Sequence, residues 1–417
     1  MTKYKLEQKG RWINISPEPE LKLLRRLVRD FSYTKKGAEF MANPAWAQVK
    51  LYQPGRKRFP IGLLSSAERI FKELGLDYEK QVNRAILSDL EQLSGGLYDF
   101  QRSALRMLLI RSGGILQIPT GGGKTRTAIA AINSIKKKTL VVCPTVDLVN
   151  QWKKQVSDDV DVRTYQGIKS KSYVQEFGLV IFDECHRVAA KTLQLIGLNL
   201  NEEAVTIGLS ATPFMRDDDN LKVESVLGKV VYKISLRELI NEGYLVDALV
   251  HYHKLDTMDT DFMDYPMAYT NYITKNTERN CKIVEIARES PGPVLILVKH
   301  IEHGKFLKEE LEMYNQDVVF LNGGSKKRDE KMEHKIIIAT SIFDEGIDIP
   351  RLETLIMGGG GKSAIKSTQR IGRVLRKHPG KGTANVHDFK DNCKWLSGHY
   401  KERRQIYEQD FEVVDVE

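Results

Sequence analysis

Gly114-Ile115-Leu116-Gln117 runs directly into Ile118-Pro119-Thr120-Gly121-Gly122-Gly123-Lys124-Thr125, and an alanine-rich helical run, Ala128 to Ile132, follows. Strand, glycine turn and helix in that order commit this part of the chain to a parallel α/β sheet, because the helix must cross back before the next strand can lie beside the first. The turn is also a phosphate cradle. In the loop that Pro119 opens, the backbone N–H groups of Thr120, Gly121, Gly122 and Gly123 can crowd around phosphate oxygens at a helix start. Lys124 can supply a point charge to the β and γ phosphates, and the Thr125 hydroxyl can hold Mg²⁺. Ile118 stands where the common G-x-x-x-x-G-K-T pattern has its first glycine, so the loop needs a second site to support it.

That second site follows the apolar run Leu179-Val180-Ile181-Phe182, which ends in Asp183-Glu184-Cys185-His186. A continuous apolar run reads as a strand buried on both faces, and parallel sheets gather ligands at the carboxyl ends of such strands. Asp183 is suited to hold Mg²⁺ through water, and Glu184 to polarise the water that attacks a γ-phosphate. An Asp-Glu pair after a strand is ordinarily a solvated turn or helix cap. Paired with the glycine loop, it reads as a nucleotide site.

Further strand runs alternate with helical patterns on either side. Leu140–Val142 and Val205–Leu209 belong with Gly114–Ile118 and Leu179–Phe182. After a more polar stretch, Val294–Val298, Val318–Leu321, Ile336–Ala339, Leu355–Met357 and Thr383–Val386 repeat the pattern without a second phosphate loop. The spacing predicts two tandem parallel sheets, over residues 91–245 and 246–417.

Residues 1–90 look like a small α/β unit of their own. β-formers alternate from Tyr4 to Ile15, and helices are predicted over Leu21 to Phe31 and Ser65 to Leu74. This segment holds 18 Lys and Arg against 10 Asp and Glu, an excess of +8, while the remainder holds 46 against 45, or +1. A concentrated positive excess suits a polyanion, nucleic acid above all, although a solvated charged face would look similar. Trp12, Tyr33, Trp46 and Tyr52, interleaved with the basic residues, fit either a backbone-contacting surface or the core of the small unit.

No apolar run is long enough to span a bilayer, and the opening Met-Thr-Lys-Tyr-Lys lacks a signal peptide's hydrophobic segment. A cytoplasmic protein, of a bacterium or a phage-infected host, with no membrane partner is the expectation. Cys143, Cys185, Cys281 and Cys393 are scattered singly, without the paired spacing of a zinc or disulfide framework.

The strand ends carry an ordered series of polar clusters. They are Gln101, the glycine loop, Cys143-Pro144-Thr145 leading to Gln151-Trp152, Asp183-Glu184-Cys185-His186, and Ser210-Ala211-Thr212-Pro213. Ala339-Thr340, Asp344-Glu345-Gly346-Ile347-Asp348 and Gln369-Arg370-Ile371-Gly372-Arg373-Val374-Leu375-Arg376 continue it. The series resembles that of superfamily 2 helicases and translocases over about residues 95–390. Within that superfamily, Arg370 to Phe389 and the tail His399 to Tyr407 look like phage UvsW-type recombination helicases. XPB-like repair helicases come next, through Arg216-Asp217-Asp218.

The resemblance implies two tandem RecA-like domains preceded by a small basic α/β DNA-binding domain, with ATP and Mg²⁺ as cofactors. Gln101 would read adenine. Lys124, Asp183, Glu184 and Gln369 would serve hydrolysis, with Arg373 and Arg376, three apart on one helix face, as arginine fingers. Ser210 and Thr212 would couple the γ-phosphate to domain closure, and Gly346 and Asp348 would contact nucleotide from the second domain. Thr145, Gln166, Gly167 and Thr340 would touch the nucleic-acid backbone. The implied activity is an ATP-dependent, 3′ to 5′ DNA motor on duplex, fork or junction, including RNA–DNA hybrids, able to act as a monomer. An RNA helicase, the motor subunit of a restriction or defence complex, and a non-catalytic binding protein are the rival readings.

Overall fold

The computed structural model describes residues 3–35, 38–83, 96–168, 170–214, 220–255, 264–325, 333–340, 349–360, 364–391, 393 and 395–416. The chain divides into two compact units. One comprises Met1–Ile118 with Gly123–Ile234, the other Ser235–Glu417 with the short stretch Pro119–Gly122.

The first unit opens with β1 (Tyr4–Lys9), β2 (Trp12–Ser16), β3 (Ser32–Thr34), β4 (Gln48–Lys50), β5 (Arg58–Pro60) and β6 (Tyr78–Gln81). Among the described residues these make a four-stranded sheet of order β5-β2-β1-β6 and a separate two-stranded β3-β4 ribbon. β1 alternates inward Tyr4, Leu6 and Gln8 with outward lysines and glutamate, the period-2 pattern of a half-buried strand. Helices Leu21–Asp30 and Leu64–Leu74 cover the inner face, burying Leu23, Leu27, Ile70 and Phe71 against Ile13, Ile15 and Phe59. Tyr52 belongs to this core, whereas Trp46 is exposed. Trp12 lies under the Arg58 guanidinium, 4.3 Å from its ring centre.

β7 (Gly113–Gln117), β8 (Thr139–Cys143), β9 (Asp161–Thr164), β10 (Leu179–Asp183), β11 (Val205–Ser210) and β12 (Val230–Lys233) build the second sheet of this unit, in order β12-β7-β11-β10-β8-β9. Every pairing is parallel. β8 and β11 are buried along their whole length, and β10 along all but Asp183. All the strand tips therefore open on one edge.

Arg11, in the turn between β1 and β2, fixes the small sheet to this larger one. Its guanidinium donates to the Ala204 carbonyl at 2.9 Å and to Thr206 Oγ1 and the Val226 carbonyl, both at 3.3 Å. Gln8 donates to the Glu202 carbonyl at 2.7 Å. Gly62 packs so closely that an added Cβ would lie 2.0 Å from the Glu224 carbonyl oxygen.

In the second unit, β13 (Ala248–Lys254), β14 (Val294–Leu297), β15 (Val318–Leu321), β16 (Ile336–Ala339), β17 (Thr354–Ile356), β18 (Ala384–Lys390) and β19 (Glu412–Val416) follow. They form a parallel sheet ordered β15-β16-β14-β17-β18-β13-β19. The α/β architecture of two parallel RecA-like sheets with a small α/β unit before them is thus present. Among the described residues no helix is long and apolar enough to cross a membrane. None of Cys143, Cys185, Cys281 and Cys393 is joined in a disulfide.

Candidate active site

β7 delivers its last residues beside β11, where the Ile118 N–H donates to the Ser210 carbonyl at 3.2 Å. The chain then turns through the glycine loop into the helix Lys124–Ile135. Gly123, at φ +77°, precedes the helix, and a Cβ there would meet the Gln101 amide nitrogen at 2.4 Å. Only glycine satisfies both the left-handed backbone and that contact. Gln101 is fully buried and its Oε1 accepts the Tyr98 N–H at 3.1 Å, so its side chain braces the base of the loop. Lys124 Nζ donates to the Ile118 carbonyl at 3.2 Å, reaching back along the loop from the first helical turn. Thr125 sits in that same turn, where N–H groups and the helix dipole favour an anion.

Two strands away, Asp183 ends β10. Its Oδ2 accepts the Trp152 indole N–H at 2.8 Å and its Oδ1 accepts the Glu184 N–H at 2.9 Å. Burial, then the neighbouring Glu184 charge, push the Asp183 carboxyl up to about 6, while Trp152 and Lys124 act in the opposite direction. Glu184 occupies the left-handed region at φ +48°, a costly place for a residue with a Cβ and a frequent mark of a functional turn. His186 Nδ1 lies 3.3 Å from Glu184 Oε2 and 3.4 Å from Ser210 Oγ, which in turn accepts the Thr212 N–H at 3.1 Å. A polar chain therefore links the tip of β10 to the tip of β11. Cys185 is buried beneath it, and burial raises its thiol pKa well above the ordinary range, leaving a protonated, unreactive group.

Gln101, Lys124, Thr125, Asp183, Glu184, Ser210 and Thr212 thus gather along one sheet edge. Thr145, at the end of β8, uses its hydroxyl to cap the helix Val146–Lys153 through the Leu148 N–H at 3.4 Å. Gln166 and Gly167 form a short turn after β9 on the same edge.

The second unit holds the other members of the series. Thr340 follows β16 and is buried, its N–H bonded to the Leu321 carbonyl at 3.2 Å. The helix Ala364–Val374 buries Ser367, Ile371 and Val374 and leaves Gln369, Arg370 and Arg373 half-buried on its other sides. One expectation needs correction: the helix stops at Val374, so Arg376 stands in the turn beyond it rather than on the helix face with Arg373. Leu375 leaves the helical pattern by accepting the Val246 N–H at 2.9 Å, and Pro379 follows, where a helix cannot readily continue. Gly346 and Asp348, the rest of their cluster, and Arg216-Asp217-Asp218 lie outside the described residues.

Sequence reading missed two kinds of functional contact. Trp152 was visible only as part of a cluster, and His186 only as the end of another; their bonds to Asp183 and Ser210 are tertiary. The Asp388-Phe389 pair and the tail to Tyr407 prove to be one buried ionic network. Arg403 bonds both Asp388 oxygens at 2.8 and 3.0 Å and Asp391 at 3.1 Å, Arg279 bonds Asp391 at 2.6 Å, and Tyr407 bonds Asp388 at 3.2 Å. Through its hydrogen bond to Ser367, Tyr407 ties this network to the helix that carries Arg373.

Two family models match the chain: "Type III restriction enzyme, res subunit" over residues 76–172 and 155–215, and "Helicase conserved C-terminal domain" over 276–378. The chain belongs to the superfamily 2 helicases and is an ATP-driven DNA helicase. It is 25% identical over 383 residues to the DNA 3′-5′ translocase XPB2 of Sulfurisphaera tokodaii, covering 74% of this chain and 85% of that protein. To the ATP-dependent DNA helicase uvsW of Enterobacteria phage T4 it is 25% identical over 369 residues, 74% of this chain and 72% of the relative. In fold it is similar to S. cerevisiae Dbp5, solved with RNA and ADP BeF3, with a TM-score of 0.55 at 16% identity over 76% of this chain and 89% of that one.

Proposed function

We propose that the protein is a 3′ to 5′ motor that remodels branched DNA by branch migration, fork regression and removal of RNA from R-loops. The observation that supports this best is the gathering of Gly123-Lys124-Thr125, Asp183-Glu184 and Ser210 on one sheet edge, in a unit to which Arg11 also fastens a basic module. A nucleotide site and a polyanion-binding module on one body are what a DNA motor requires. The similarity to a DNA 3′-5′ translocase and to a phage DNA helicase supports the substrate and the direction.

In this reading Lys124 and the loop N–H groups grip the β and γ phosphates, and Gln101 meets the base. The donor set fits Mg²⁺, a hard cation that takes a hydroxyl and one carboxylate together with phosphate oxygens: Thr125 and Asp183 would hold it, and it would neutralise charge on the phosphates. Glu184 orients the attacking water, and the His186–Ser210–Thr212 chain relays the state of that site along the edge. Arg373, Arg376 and Gln369 stabilise charge on the transferring phosphoryl group. Gly346 and Asp348 would add nucleotide contacts, and Thr145, Gln166, Gly167 and Thr340 backbone contacts. Phosphate contacts give little sequence selectivity and a steep salt dependence. A single chain supplies every part, so a monomer suffices.

ATP hydrolysis measured against forks, four-way junctions, plain duplex, R-loops and RNA duplexes tests the proposal. Branched DNA is expected to stimulate most, and stronger stimulation by RNA duplex would overturn it. Lys124→Ala and Glu184→Gln should each lower the rate about 100-fold or more with folding retained. A second reading is favoured by the restriction-subunit description of the matching family model: translocation without strand separation. Triplex displacement in the absence of fork unwinding would select it.

A further inference from the structure

The ribbon β3-β4 carries a tip that no part of the ATP site explains. Phe40 is 88% exposed, Trp46 73% and Met41 44%, three large apolar side chains turned to water on one connection of the basic module. The tip backbone is held in place. The Lys35 N–H donates to the Ala47 carbonyl at 3.0 Å, closing the connection at its base, and the Met41 and Trp46 N–H groups donate to Ala38 at 3.1 Å and Asn43 at 3.0 Å. Asn43 Oδ1 accepts the Ala45 N–H at 3.0 Å, and Ala38 and Ala47 are buried. Apolar groups presented on a fixed backbone bind with less ordering cost than a loose loop would.

Charge selects the partner. From Ser32 to Arg58 the sequence has Lys35, Lys36, Lys50, Arg56, Lys57 and Arg58 against the lone acid Glu39. Lys35, Lys50 and Arg56 are exposed beside the ribbon or in the turn after it. Flat rings flanked by cations match a nucleic acid strand, whose bases offer π-faces and whose phosphates offer charge. Inside a duplex those faces are stacked on one another, so only unpaired bases can receive the rings.

We infer that the Phe40–Trp46 tip stacks on unpaired bases where two DNA strands part, so that the module distinguishes a fork from continuous duplex. This rests on the proposed DNA motor, and the test separates the two. Full-length wild type, Phe40→Ala/Trp46→Ala and Phe40→Tyr/Trp46→Phe are each titrated onto a fork carrying 2-aminopurine at the first unpaired position, and onto a duplex of the same length. Wild type should alter the 2-aminopurine fluorescence. The alanine pair should lose that signal and bind the fork about ten-fold more weakly, with duplex affinity within about two-fold, while the aromatic pair behaves as wild type. Hydrolysis without DNA should be the same in all three. An unchanged fork signal in the alanine pair, or equal losses on fork and duplex, would overturn the inference. If wild type shows the signal but no DNA stimulates its ATPase, the stacking tip stands and the motor reading falls.

Discussion

A carboxylate that is to hold a metal ion must stay charged although buried, and must keep its lone pairs aimed. Asp183 meets both demands through neighbours. Burial and Glu184 raise its pKa to about 6, and the Trp152 indole N–H, at 2.8 Å, is the first group opposing that rise. Trp152→Phe would keep most of the buried ring and delete only the donor. A hydrogen bond to a charged group contributes about 1.5–3 kcal/mol, so the Mg²⁺ concentration for half-maximal hydrolysis should rise roughly ten-fold or more, with little change in melting temperature. Metal titration of the ATPase measures it, and an unaltered Mg²⁺ requirement would show that Trp152 is only packing. Asp183 and Glu184 were legible because a strand tip is marked by the apolar run before it. Trp152 as their partner was not, since nothing local ties an indole on one helix to a carboxylate at another strand's end.

At the scale of elements, strands buried on both faces were readable, as was the apolar edge strand β15, whereas the edge strands β9 and β19 were not. β10 and β16 are unbroken apolar runs, but β9 reads Asp-Val-Arg-Thr and β19 Glu-Val-Val-Asp-Val, because an edge faces water on one side. β13 escaped for another reason: its consecutive residues His251, Tyr252 and His253 interrupt the apolar run although Tyr252 and His253 are buried. β13 and β18 place His251 opposite His387, and His253 Nε2 lies 2.9 Å from His387 Nδ1, a spacing that two imidazoles hold by sharing one proton. Burial lowers His253 to about 4 and His387 to about 3; His303, bonded to Asn280 at 2.8 Å, also falls to about 3. Folded-state values below the unfolded 6.5 mean that the unfolded chain binds protons first. The stability is complete above pH 6.5 and is lost as pH falls toward 4, roughly 2 kcal/mol for each histidine by pH 5. Thermal melts at pH 7 and pH 5 should differ by many degrees, and a flat profile would contradict the buried neutral trio. The Arg403 network predicts a sharper effect. Arg403→Ala leaves Asp388 and Asp391 buried without their shared cation, and urea unfolding should show a loss of about 3–5 kcal/mol.

For the molecule as a whole, the question is whether the basic module and the first RecA-like sheet move as one body. The charge asymmetry announced the module, but its docking residues carried no signal in the sequence: Arg11 is one arginine in a turn and Gly62 one glycine before a helix. Their contacts argue for a fixed joint. Arg11 is buried enough to bring its guanidinium down to about 10, still charged at neutral pH, and it satisfies the carbonyls of Ala204 and Val226 that a sheet end otherwise leaves open. Arg11→Met would fill much of the volume yet strand those carbonyls, and Gly62→Val would drive a side chain into the Glu224 backbone. Losing charged hydrogen bonds worth about 1.5–3 kcal/mol each should speed amide exchange across Gln8–Trp12 and Ala204–Thr206 by roughly ten-fold or more in Arg11→Met. Hydrolysis without DNA should persist, because neither substitution touches the strand tips that carry Asp183 and Ser210. Stimulation by forked DNA should fall, because a module that swings freely no longer delivers the strand in register with the ATP site. Faster exchange with full stimulation would mean that the module binds DNA without steering the motor, and unchanged exchange would mean that the joint is held elsewhere than at Arg11.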